Sequence, residues 1–235
     1  MKGDDIMDFK YASTKEECRK IQLELTKKLI LKSNFDLKDI KYVAGVDLAY
    51  WNDERGEKAV CCIVVIDFET KKVLETVDFM DYINFPYIAG CLAFREIPLF
   101  LKAVRKLRYS PDLYVFDGNG YLHPCNMGIA SHASFYVNKP TIGVAKKYFK
   151  IDNVDFMMPD NIEGAYTDII INNKIYGRAL RTHKDVKPIF ISVGNFIDIN
   201  MSTEIIKSLI NKESHIPIPT RLADLETHKM RDIYK

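Results

Sequence analysis

The sequence lacks most of the features that announce a function. It has 1 Trp and 5 His, and its 5 Cys include no CxxC pair. Without that spacing a zinc knuckle is not expected, and an odd cysteine count speaks against a closed disulfide framework. Cys61 and Cys62 are neighbours in an apolar run, where a strand sends them to opposite faces. Free thiols in a reducing compartment fit better. The longest apolar runs, such as Ala59 to Ile66, are far shorter than the about 20 residues of a membrane span. The start, Met1-Lys2-Gly3-Asp4-Asp5, is acidic and has no apolar core of a secretory signal. A soluble, cytoplasmic protein is expected. An excess of one charge is missing too: 34 Lys and Arg face 32 Asp and Glu, for a net charge of +2. That excludes a protein that coats nucleic acid by bulk charge.

What is present is a foldable chain. Its 235 residues are 47% hydrophobic and 28% charged, long enough to bury a sizeable core. No repeat or Gly/Ser/Pro-rich linker divides it, so one domain over 1–235 is expected. Thr14 followed by Glu17 opens a predicted helix over 14–32. Segments 40–50, 58–68 and 72–83, rich in Val, Ile and Tyr, predict three strands with short connections, an antiparallel meander. A helix over 97–107 follows, with Pro98 in its first turn. Then come a strand over 112–116, a helix from about Met127 and a strand over 141–145. Segments 168–181 and 187–197 predict a further strand pair, and 203–212 a helix. The whole is a mixed α/β pattern. The first strand is apolar on both faces, as a central strand covered on both sides would be.

Asp47 breaks that apolar strand. A buried carboxylate must be neutralised, paired or bound to metal, although a turn aspartate before Trp51-Asn52-Asp53 is an equal reading of this residue alone. Asp117 directly follows Leu113-Tyr114-Val115-Phe116, at the strand end where α/β sheets place their chemistry. Asp-Gly is also a common turn pair. The sequel shifts the balance: a glycine-punctuated stretch runs to His132 and includes His123, and glycine lets backbone approach a ligand closely. Lys146 and Lys147 end the next strand. Glu96 reads in isolation as a first-turn helix acid, and Asp224 as a surface acid on a helix near the C-terminus. Several acids without a cysteine cluster suit a hard cation, Mg²⁺ or Mn²⁺, rather than zinc.

Val43-Ala44-Gly45-Val46-Asp47, Pro86-Tyr87-Ile88-Ala89-Gly90, Phe94-Arg95-Glu96 and the stretch from Asp117 to Lys146 resemble the endonuclease V family of deoxyinosine-specific nucleases. DGNGYLHPCNMGIASH and PTIGVAKK are the most specific parts, and YGRALRT and PTRLA extend the likeness to nearly the whole chain. The resemblance implies a ribonuclease H-like mixed sheet, a three-strand meander followed by β–α–β with flanking helices, its first and fourth strands adjacent and parallel. It also implies Mg²⁺, with Mn²⁺ as a substitute, held by Asp47, Glu96, Asp117 and Asp224. His123 and Lys146 are implied beside the scissile phosphate and Tyr87 in the gap left by an extruded base. Gly90, Leu92, Gly118, Ile129 and His132 are implied around that base. The implied activity is nicking of DNA at the second phosphodiester bond 3′ to deoxyinosine by a monomer. Inosine-containing RNA and branched DNA are the alternative substrates.

Three positions depart from the family pattern. Ala89 replaces a proline, Cys125 stands where Arg often follows His-Pro, and Asn195 stands where many members carry His. Three basic runs, over 102–108, 139–150 and 174–187, are expected to flank the site as a nucleic-acid track, which the near-neutral total allows.

Overall fold

A computed structural model describes residues 8–235; the acidic start at Asp4 and Asp5 lies outside the described residues. One 8-stranded sheet runs in the order β3-β2-β1-β4-β5-β8-β7-β6. Strands β1 (Tyr42–Asp53), β2 (Gly56–Asp67) and β3 (Val73–Tyr82) form the expected antiparallel meander. β4 (Leu113–Asp117) lies parallel to β1, with Val46 opposite Phe116, so Asp47 and Asp117 emerge side by side. β5 (Thr141–Ala145) continues parallel to β4, and β8 (Ile189–Asn195) turns the sheet antiparallel again.

Alternation along β1 explains its apolar sequence. Val43 faces a core shared with α4 (Ile199–Ser208) and α5 (Ile218–Tyr234), whereas Ala44 and Val46 face α2 (Leu92–Val104) and α3 (Ile129–Val137). Gly45 is where α5 touches the sheet, since a Cβ there would lie 2.1 Å from the Pro219 carbonyl. That close approach carries Asp224 over β1. Cys61 and Cys62 point into different clusters, and all five cysteines are free. No helix among the described residues is long and apolar enough to cross a membrane.

Several boundaries differ from expectation. α1 spans Lys15–Thr26, with Thr14 Oγ1 accepting from the Glu17 amide and Glu17 Oε2 from the Ser13 amide. It ends before residue 32 because the following chain leaves the helix to lay Leu31 and Phe35 on the core. α2 starts at Leu92, so Pro98 is inside the helix rather than in its first turn, giving up one backbone hydrogen bond. Segment 168–181 is a hairpin, β6 (Tyr166–Ile171) and β7 (Lys174–Leu180), turned by Asn172 and Asn173 at positive φ. Paired Asn residues tolerate that conformation and were the missed turn signal.

Candidate active site

The middle of β1, at Asp47, and the C-terminal end of β4, at Asp117, meet α5 in a cluster of acids. Asp47, Asp117 and Asp224 each offer a carboxylate oxygen, and the three lie within 4.8 Å of one another. Burial, with Asp117 beside it, pushes the Asp47 carboxyl up to about 7. Lys146, at the end of β5, places Nζ 2.8 Å from Asp117 Oδ2 and 3.6 Å from Asp224 Oδ1. Burial opposes the charge on this ammonium, but the Asp117 hydrogen bond prevails and raises its pKa. Three oxygen donors that already gather a cation fit a hard divalent metal.

Glu96 is placed differently. It lies in mid-helix on α2, 7% exposed, on the opposite side of the sheet from α5, and is not one of the three gathered carboxylates. Tyr50 donates its hydroxyl to Glu96 Oε1 at 2.5 Å. Burial lifts the Glu96 carboxyl to about 8, with the charges of Asp47 and Asp117 adding to the rise against the Tyr50 hydrogen bond. Arg95 stacks over the Tyr50 ring at 4.6 Å, donates to the Phe85 carbonyl at 2.8 Å and pairs with Glu57. The sequence reading missed Tyr50; a hydroxyl three residues after Asp47 on a largely apolar strand was the available signal.

A cavity of about 150 Å³, whose lining reaches Asn119 two residues after Asp117, is bounded in part by Tyr87, Gly90, Leu92, His123 and Ile129. It is smaller than the roughly 300–1,000 Å³ of a drug-sized site, which matches it to one compact group. Tyr87, 74% exposed, stands at its rim. Gly90 has φ +85°, a conformation that disfavours a side chain, and its carbonyl accepts from both Gln22 Nε2 (2.8 Å) and His123 Nε2 (3.1 Å). The Cys125 amide donates to His123 Nδ1 at 3.1 Å, so both ring nitrogens are engaged by this pair of loops. Burial drives the His123 pKa down to about 4. His123 thus braces the loop rather than standing bare among the acids.

Gly118 is not in the lining; it lets Ile129 pack closely, since a Cβ there would meet Ile129 Cγ2 at 2.8 Å. His132 is a core residue, fully buried against Phe9, Phe94 and Tyr136. Its ring is behind the cavity wall, not in it. Another cavity, about 420 Å³ beside Leu101 and Tyr114, includes none of the cluster acids.

Several cations of the basic runs are tied into the fold. Lys102 pairs with Asp81, Arg108 with Glu75, and Lys106 bonds the Asp78 carbonyl. Arg178 binds Asp168, Thr203 and Asn200, and Arg181 binds the carbonyls of Pro159, Asp160 and Val186. Of these runs, Lys146 is the cation that reaches the acids. Asn195 is buried too, its Oδ1 accepting from the Ile30 amide at 2.8 Å.

The sequence profile described as Endonuclease V matches residues 23–225. An endonuclease V of Bacillus thuringiensis subsp. konkukian (strain 97-27) is 60% identical over 216 residues, 92% of each chain. The chain belongs to the endonuclease V family. The crystal structure of endonuclease V from Bacillus subtilis superposes with TM-score 0.93 and 51% identity, covering 100% of this chain and 98% of that one. That of Ciona intestinalis endonuclease V, in complex with a 24mer DNA containing an inosine followed by a ribo-adenosine, superposes with TM-score 0.83 and 29% identity over 94% and 98% of the two chains. The ribonuclease H-like sheet is therefore the endonuclease V fold. Family membership makes this a nuclease, with the cluster and the cavity on the same end of the sheet.

Proposed function

We propose that this member of the endonuclease V family is a Mg²⁺-dependent enzyme that nicks DNA at the second phosphodiester bond 3′ to deoxyinosine, leaving 3′-hydroxyl and 5′-phosphate ends. It would act as a monomer in the cytoplasm, in repair of deaminated adenine. One observation carries the reading: Asp117 belongs to the acid cluster and Asn119, two residues on, lines the small cavity. A single loop thus serves both a base and a phosphate.

Asp47, Asp117 and Asp224 would hold the metal, with Glu96 completing the set of carboxylate donors from α2. When bound, Mg²⁺, or Mn²⁺ in its place, lowers the pKa of a coordinated water and stabilises charge on the attacked phosphate. Lys146 donates to the phosphate oxygens or leaving oxygen once drawn from Asp117. Tyr87 fills the gap left by the extruded base and stacks in the strand. His123 fixes the Gly90 carbonyl at the cavity wall, with Leu92 and Ile129 packing on the base. A base whose pairing is already weakened is easier to extrude, which favours lesions.

The Ciona complex contains a ribo-adenosine after the inosine, which favours a second reading, cleavage of inosine-containing RNA. Labelled strands carrying one deoxyinosine, one inosine, deoxyinosine followed by ribo-adenosine, or none, with and without Mg²⁺, separate the two. The expected result is a cut at one fixed offset from deoxyinosine, lost in Asp117→Ala. Full Mg²⁺-dependent nicking by Asp117→Ala sinks the metal assignment.

A further inference from the structure

α5 carries a second group beside Asp224. His228 is one turn further along, 53% exposed, with Nε2 3.8 Å from Asp224 Oδ1. That distance is too long for a hydrogen bond, as is the 3.6 Å from Lys146 Nζ to the same oxygen. Arg231 donates from Nη2 to His228 Nδ1 at 2.9 Å. A guanidinium has donors only, so Nδ1 must present its lone pair and the ring proton sits on Nε2. The Arg231 contact thus fixes the tautomer. An exposed N–H donor stands at the rim of the acid cluster, its proton fixed by a neighbouring side chain. Among the described residues it has no hydrogen-bond acceptor.

Carboxylates can only accept, so a phosphate backbone entering this site needs donors around them. Lys146 supplies one from β5; the α5 side offers His228. We propose that His228 is a substrate-contacting residue whose Nε2–H donates to a non-bridging phosphate oxygen beside the acid cluster, and that Arg231 is the positioning residue that holds it in that tautomer. The proposal rests on the endonuclease reading above. It differs from a role in orienting Asp224 toward metal, which would act on metal affinity rather than on substrate.

The test compares wild type, His228→Ala, His228→Gln and Arg231→Met. Each is measured for kcat and KM on a deoxyinosine duplex, for the Mg²⁺ concentration giving half-maximal rate, and for Kd by fluorescence anisotropy in EDTA on damaged and undamaged strands. Thermal melting checks folding. For His228→Ala we expect KM and Kd to rise about tenfold, in the range of a lost charge-assisted hydrogen bond, with kcat within threefold and the Mg²⁺ midpoint unchanged. Gln, whose amide nitrogen reaches the Nε2 position, should restore most of the affinity; Arg231→Met should fall between. Unchanged KM and Kd in His228→Ala overturn the proposal. So does a shifted Mg²⁺ midpoint with KM unmoved, or Gln no better than Ala in a well-folded protein. A phosphate contact is sequence-independent, so the undamaged-strand Kd still reports it if wild type cuts no inosine strand. That last result would refute the functional reading alone.

Discussion

Replacing Tyr50 with Phe removes one oxygen atom and tests how Glu96 is kept ready to serve the cluster. The hydroxyl donates to Glu96 Oε1 at 2.5 Å, and Glu96 is 7% exposed, so water cannot readily take its place. A hydrogen bond to a charged group contributes about 1.5–3 kcal/mol, and one pKa unit is about 1.4 kcal/mol. Burial already holds this carboxyl near 8, so at pH 7 roughly one molecule in ten has it ionised. Losing the donor raises the pKa by a further one to two units or so. The expected outcome at pH 7 is a half-activating Mg²⁺ concentration about 10- to 100-fold higher in Tyr50→Phe, because the bound proton competes with metal. The deficit shrinks as the pH rises toward 9. Stability of the metal-free protein has its own sign. A raised carboxyl pKa favours the folded state below 4.5, and this contribution is lost as pH rises from 4.5 through about 8. Metal titrations of nicking at pH 7 and pH 9, paired with thermal melts, make the measurement. An unchanged Mg²⁺ midpoint at pH 7 in a folded Tyr50→Phe protein would refute the reasoning.

Three further outcomes are expected. Tyr87→Ala should leave the melting temperature within the scatter of surface substitutions, since the ring is 74% exposed, yet weaken binding of deoxyinosine strands by about 1–3 kcal/mol, the contribution of one base–aromatic stack; equal Kd values would remove Tyr87 from the wedge role. Gly45→Ala should lower stability by at least the about 1–3 kcal/mol typical of overpacking, because its Cβ would lie 2.1 Å from the Pro219 carbonyl, and chemical denaturation reads this directly. Burial lowers the His132 pKa from 6.5 to about 3, so its neutral form stabilises the fold fully above 6.5 and progressively less as pH falls toward 3. Between pH 7 and 5, wild type should therefore lose about 2 kcal/mol more than His132→Asn; parallel pH profiles would contradict that burial argument.

The parts of the site that break a pattern were legible in the sequence. Asp47 interrupts an apolar strand and Asp117 ends one, and the parallel β1–β4 register sets them side by side. What escaped depends on contacts between distant segments. Pro98 suggested a helix start, which put Glu96 in a first turn instead of mid-helix opposite Tyr50. His132 carries the chemistry of a ligand contact but lies among Phe9, Phe94 and Tyr136, because α3 turns that face into the core. Charge counting could not foresee that Arg178 and Arg181 hold side chains and carbonyls together while Lys146 alone of those runs reaches the acids. His228 and Arg231 gain meaning only once α5 is docked on Gly45 and Asp224 is in place.

The double acceptance at the Gly90 carbonyl has a consequence for how the molecule can be divided. Gln22 from α1 and His123 from the loop after β4 converge on that one oxygen, and Gln22 also reaches the Met127 carbonyl at 3.3 Å while Thr26 bonds that of Cys125 at 2.7 Å. The first helix is therefore a clasp between two loops, one 68 residues downstream of Gln22 at Gly90 and the other 105 downstream at Met127. The acid cluster, by contrast, is assembled from β1, β4 and α5 with no hydrogen bond to α1. A chain shortened past Gln22 keeps every carboxylate of the cluster but releases the cavity wall that the proposed function assigns to the base. On the proposed function, base discrimination and phosphate chemistry then have separate points of failure, and the former hangs on the amino-terminal helix.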